Sequence, residues 1–167
     1  ERSQKSLDDD GNGLAPPVFI VVCNNTNVSK LVFDYISGWE KPLPDGATVA
    51  VPGRLPLFSN VQDGRFIHRP NTILVDSEQL ESGEAMSDDF KSIAAVEIAE
   101  FKAEYRQRFP DRDVEKLTDE DLLREVMNTI GKQGKLGEHV RCVVSVSMLT
   151  EGWDANTVTH IVGLRAF

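Results

Sequence analysis

The 167 residues carry a formal net charge of −9, with 40% hydrophobic and 27% charged side chains, a composition that suits one soluble, globular domain rather than a disordered chain. No apolar run approaches the ~20 residues of a membrane helix, no charged-then-apolar leader opens the chain, and the acidic balance argues against a surface that coats nucleic acid. The acidity is local: residues 76–125 hold 16 acidic and 7 basic side chains, and the rest hold 11 of each.

Residues 1–15 (ERSQKSLDDDGNGLA) are polar and without periodicity, which reads as a linker or frayed entry. The chain opens on Glu1, not methionine, so an excised piece of a longer protein is expected. Pro16 and Pro17 lead into VFIVVC, residues 18–23, a short unalternating run that suits a strand covered on both faces of a parallel sheet. In NNTNVSKLVFDYISG, Asn25, Thr26 and Asn27 are helix caps, Gly38 is a stop, and Val28, Leu31, Tyr35 and Ile36 recur at helical spacing as the expected apolar stripe. Residues 41–70, rich in proline and glycine, predict short extended pieces inserted beside the main sheet, with a hairpin among them.

NTILVD (71–76) is the next strand. An acidic helical segment over about 87–130 follows. Ala94, Ile98, Phe101 and Tyr105 line one helix that Phe109-Pro110 ends. Thr118 caps a second, whose three early acids suit the helix dipole and whose stripe is Leu122, Leu123, Val126, Met127 and Ile130. RCVVSVS (141–147) and VTHIVGL (158–164) read as two further buried strands. Buried strands alternating with helices predict a parallel, doubly wound α/β sheet. Cys23 and Cys142 lie inside strand-like runs and read as buried free thiols in a reducing cytoplasm; a disulfide between neighbouring strands is the alternative. His68, His139 and His160 stand too far apart to suggest a zinc site, and no metal site is expected.

In such sheets ligands gather beyond the carboxyl ends of the strands. That rule selects Asn24-Asn25-Thr26, Asp76-Ser77-Glu78, and Ser147 through Asn156. The first stretch joins amides and a hydroxyl to the free N–H groups of a helix start, which together bind an anion; plain helix capping is the simpler reading. In the third, Ser145, Ser147 and Thr150 supply hydroxyls, Gly152 a tight backbone and Asp154 an acceptor for a ribose hydroxyl or an arginine. Trp153 is either a base-stacking ring or a loop anchor. There is no GxxxxGK[ST] loop, no GxSxG and no HExxH, so the chain alone neither cradles a triphosphate in the usual way nor carries a catalytic residue of those classes.

SVSMLTEGWDANTVTHIVGL resembles motif V, and the strand after it, of superfamily 2 helicases, in particular the motor (Res) subunit of type III restriction–modification enzymes. VFIVVCNNTNVSKLVFDYI is similar to motif IV and its helix, RPNTILVDSEQLESGE to the next strand, and LLREVMNTIGKQGKLGEHVRCVVSVSMLTEGWD to the run into motif V. The resemblance spans about residues 16–167 and implies a second RecA-like (P-loop NTPase-like) domain, a mostly parallel sheet with flanking helices and a small insert, ending before the arginine-bearing motif VI. It implies an ATP-dependent DNA translocase or helicase and endonuclease subunit, a cytoplasmic hydrolase whose ATP and Mg2+ are bound only with the first RecA-like domain. It further implies a methyltransferase partner subunit and no activity or bound cofactor in the fragment alone. Residue by residue, it gives Ser147 and Thr150 to the DNA backbone, Asn25 and Thr26 to a second phosphate, and Gly152 to the tight turn. Asp154 goes to the ATP ribose or the motif VI arginine. The family often has a Thr-Asp pair where this chain has Val146-Ser147. The acidic helices are expected away from the DNA, which their carboxylates repel. Two alternatives stand beside this: a motor of the same superfamily without a nuclease, acting in repair or RNA handling, and a non-enzymatic α/β interaction module.

Overall fold

The computed structural model describes residues 17–75, 91, 95–146 and 158–165. Four strands, β1 (Val18–Cys23), β6 (Thr72–Val75), β7 (Cys142–Val146) and β8 (Val158–Leu164), form one sheet in the order β6-β7-β1-β8, every neighbouring pair parallel. Side chains alternate across it. Val18, Ile20, Val143, Ile73 and Val75 face one cluster; Phe19, Val21, Cys23, Cys142, Val144 and Leu74 face the other. Helix α1 (Thr26–Ser37) covers the second face, while α2 (Ala95–Arg108) and α3 (Asp119–Asn128) cover the first. A parallel sheet between helix layers is the expected class, and it explains why β1 and β7 read as unbroken apolar runs.

The sequence signals for α3 translate directly. Thr118 and Asp121 close a capping box, three acids fill the first turn, and all five predicted stripe residues are buried. Between α2 and α3, a short 3-10 turn (Val114–Lys116) buries Val114. Ion pairs Arg69–Glu97 at 2.6 Å and Lys135–Glu104 hold α2 to the loops before β6 and β7. Burial opposes ionisation of Glu97, but the hydrogen bonds from its own backbone N–H and from Arg69, together with the Arg69 charge, overcome it and hold the carboxyl below the usual range.

Helix α1 corrects the expected stripe. Val28, Val32, Phe33 and Ile36 pack on the sheet, whereas Leu31 and Tyr35 are 70% and 60% exposed. The helix carries apolar residues on two sides, and spacing alone cannot say which side meets the sheet.

The insert begins at Gly38, earlier than residue 41, because the helix-ending glycine also opens the hairpin β2 (Gly38–Pro42) and β3 (Thr48–Pro52). A second small hairpin follows, β4 (Val61–Gln62) with β5 (Arg65–Phe66). A buried polar knot locks the insert to the sheet. The Asn60 side-chain amide donates to the Thr72 carbonyl at 2.8 Å and accepts the Thr72 N–H at 2.9 Å, so it takes the place of a neighbouring strand at the start of β6. Asn71 donates to the Ser59 carbonyl, and the Thr72 hydroxyl to the Phe58 carbonyl. Satisfied buried polar groups of this kind fix one arrangement, because breaking any of them strands a desolvated partner.

The expectation for β8 also needs correction. It lies at the sheet edge, and six of its seven residues are exposed. At its start a bulge at Thr159, whose hydroxyl bonds both the N–H and the carbonyl of Val18, shifts the register by one.

The disulfide alternative is excluded. Register sets Cys142 beside Phe19 and Cys23 beside Val146, an offset of four residues or about 13 Å along adjacent strands, beyond the reach of a bridge. Both thiols are buried and burial raises their pKa, that of Cys142 from 9.0 to about 11. Two results are expected. Thiol reagents modify neither cysteine until the chain unfolds. Because the folded thiol holds its proton more tightly than the unfolded one, stability is fully present below pH 9 and falls as pH rises towards 11, by up to about 3 kcal/mol, a slope that Cys142→Ala removes. Alkaline denaturation monitored for both proteins measures the difference; identical slopes contradict the assignment.

Candidate functional site

Parallel pairing brings the carboxyl ends of all four strands to one edge. Cys23 lies beside Val146 on one side and Leu164 on the other, and Val75 beside Ser145. Two of the three stretches chosen from sequence therefore leave neighbouring strands: Asn24-Asn25-Thr26 after β1, and the run from Ser147 after β7. The third, from Asp76, leaves β6 one strand further on. Ser147, Thr150, Gly152 and Asp154, with Trp153 and Asp76, lie outside the described residues.

Asn25 is a working N-cap. Its backbone is extended, and its side-chain oxygen accepts the Val28 N–H at 2.9 Å while its carbonyl accepts the Ser29 N–H. The Ser29 hydroxyl, fully buried, donates to the Thr26 carbonyl. The capping reading of Asn25 thus holds for its oxygen, which is an acceptor already engaged and offers a phosphate nothing. What faces outward is the backbone: the N–H groups of Thr26 and Asn27 find no partner among the described residues, and both side chains are exposed. No acidic side chain sits in this first turn, so the positive end of the helix dipole is uncompensated by its own helix.

One residue at this edge was missed in the sequence. Arg165 follows Leu164, which pairs with Cys23, so its backbone leaves the sheet beside Asn24 and it is exposed. The signal was available, since Arg165 is the first charge after the strand VTHIVGL, but only the strand order places it next to the start of α1. Two N–H groups without a partner among the described residues and a hydroxyl, with an exposed arginine where the adjacent strand ends, make an edge that suits a phosphate.

A groove of about 850 Å³ lies elsewhere, between the exposed side of α1 and the β2–β3 hairpin, lined by Leu31, Asp34, Tyr35, Trp39, Val51 and Arg54. It holds none of the predicted site residues. Among the described residues no cluster of His, Cys, Asp and Glu is arranged to hold a metal ion. No described helix is long and apolar enough to cross a membrane.

No protein-family model matches the chain, and neither a curated protein nor a solved structure does.

Proposed function

We propose that this chain is the second RecA-like motor domain of an ATP-dependent DNA translocase, built like the restriction subunit of type III restriction–modification systems and inactive by itself. The observation that carries this reading is the shared sheet edge. Strand β1, which resembles the motif IV strand, lies directly beside β7, which leads into the motif V-like run, so both stretches leave the sheet as neighbours. A motor that moves along a backbone without reading bases can hold the phosphates with backbone N–H groups, hydroxyls and cationic side chains, none of which reads sequence. The outward N–H groups of Thr26 and Asn27 and the Thr26 hydroxyl are donors of this kind, Ser147 and Thr150 would add hydroxyls, and Arg165 supplies one cation. The helices α2 and α3, with most of their charges acidic, cover one face of the sheet rather than this edge.

In the complete motor, Gly152 and Asp154 would face ATP and its Mg2+ across a cleft closed by the first RecA-like domain, and a methyltransferase subunit would supply site recognition. The test joins this domain to the domain that precedes it and measures ATP hydrolysis. Hydrolysis that rises on adding DNA is expected, with none from the 167-residue chain alone. Hydrolysis by the chain alone, or none by the joined protein, overturns the proposal.

A further inference from the structure

Two helices cover the first face of the sheet, and they are held there by different means. Helix α3 buries Leu122, Leu123, Val126 and Met127. Helix α2 is longer and buries no residue. Ile98 and Phe101 rest on the core cluster, both only partly buried. Farther along, the rings stack on one another rather than on the core, Phe101 with Tyr105 at 5.9 Å and Tyr105 with Phe109 at 4.9 Å. An open groove of about 450 Å³ lies between α2 and the start of α3, lined by Ala95, Ile98, Ala99, Leu117 and Leu122. What ties α2 down is charge. Arg69 ahead of β6 pairs with Glu97 at 2.6 Å, and Lys135 ahead of β7 pairs with Glu104. Lys102 pairs with Glu115 of the 3-10 turn at 3.6 Å, and Lys91, one turn ahead of α2, with Asp119 of α3 at 2.7 Å.

We propose that α2 is a strap fastened by these ion pairs, which lifts off as a unit while α3 and the sheet stay folded, and lifts more readily as salt rises. A partly exposed ion pair contributes far less than a buried aliphatic side chain, and dissolved ions screen it. The fastening of α2 is therefore both weaker than that of α3 and of a kind that salt loosens. Elements with few buried apolar contacts open at a free energy well below that of global unfolding. Fourteen residues make only a marginal helix in isolation, so a lifted α2 frays and its amides lose protection. Lifting uncovers the seat of Ile98 and Phe101 on the cluster beneath, so ionic conditions decide whether that apolar seat is covered.

Native-state hydrogen exchange of the full 167-residue chain, read by mass spectrometry, tests the proposal. At low salt the amides of residues 99–108 should exchange about 100-fold faster than those of β1 and β7, as a unit that opens without global unfolding does. Between about 0.05 and 1 M NaCl their exchange should rise about tenfold, while that of α3, β1 and β7 stays constant. Glu97→Gln removes the least exposed carboxylate of the four pairs. It should speed exchange of 99–108 at low salt and shrink the rise with salt. Protection of 99–108 equal to that of β1 and β7 overturns the proposal, because α2 would then open only with the whole domain. So does faster exchange that ignores salt, which would mean that apolar contacts alone hold the helix. A salt response shared by α3 and the sheet, or a Glu97→Gln protein that exchanges like the wild type, overturns it as well. Should Glu97→Gln fail to fold, seen as lost protection of β1 and β7, Glu104→Gln takes its place under the same criteria.

Discussion

Replacing Gly38 with alanine is expected to cost about 4 kcal/mol, which lowers Tm of a domain of this size by about 8–16 °C. Two effects add. Gly38 ends α1 with φ +103° and ψ 168°, a region that L side chains rarely enter. A Cβ there would also stand 2.5 Å from the Val51 carbonyl oxygen and 2.8 Å from a methyl of Val61. The first contact is backbone and cannot swing aside, so the hairpin must move away from the helix. Gly53 faces the same junction, where a Cβ would lie 1.9 Å from the Ile36 carbonyl oxygen and where its N–H is held by the Ser59 hydroxyl. The end of α1 and the start of the insert therefore meet backbone to backbone, with a glycine on each side. Thermal unfolding followed by circular dichroism checks the prediction, and an unchanged Tm for Gly38→Ala contradicts this packing.

The second large effect concerns activity. In the joined motor, Asp154→Ala is expected to lower DNA-stimulated ATP hydrolysis by about 100-fold, the scale on which removing one preorganised polar group at a reacting centre acts. Its melting temperature should not move. Loss of turnover with intact folding is what separates a nucleotide contact from a loop anchor. Unchanged turnover removes Asp154 from the nucleotide site.

What the sequence made legible follows the range of the interactions involved. Local signals were sufficient for α3, since its cap, its acidic first turn and its stripe lie within thirteen residues and agree with one another. The strands β1 and β7 were legible as well, because residues buried on both faces leave no alternation to misread. The failures are non-local. Leu31 and Tyr35 obey helical spacing as well as Val28 and Ile36 do, and only the position of the sheet decides which stripe is covered. VTHIVGL carries four aliphatic residues in seven, enough to read as a buried strand, yet its edge position is a property of strand order. Asn60 looks like an ordinary loop asparagine, and its pairing with Thr72 appears only once the insert folds back on β6. For the site, the capping role of Asn25 was readable from its own neighbours, whereas Arg165 gained its place beside Asn24 only through the parallel pairing of β1 and β8.

The central claim is that the carboxyl edge of the sheet, and not its helix-covered face, meets DNA. A photo-crosslinking amino acid at Thr26 tests it against the same probe at Glu100, an exposed position on α2. In the joined motor with single-stranded DNA, the probe at Thr26 should capture the strand and the probe at Glu100 should not. Capture at Glu100 with silence at Thr26, in protein whose ATP hydrolysis still responds to DNA, would place the track on the wrong side of this domain and end the account.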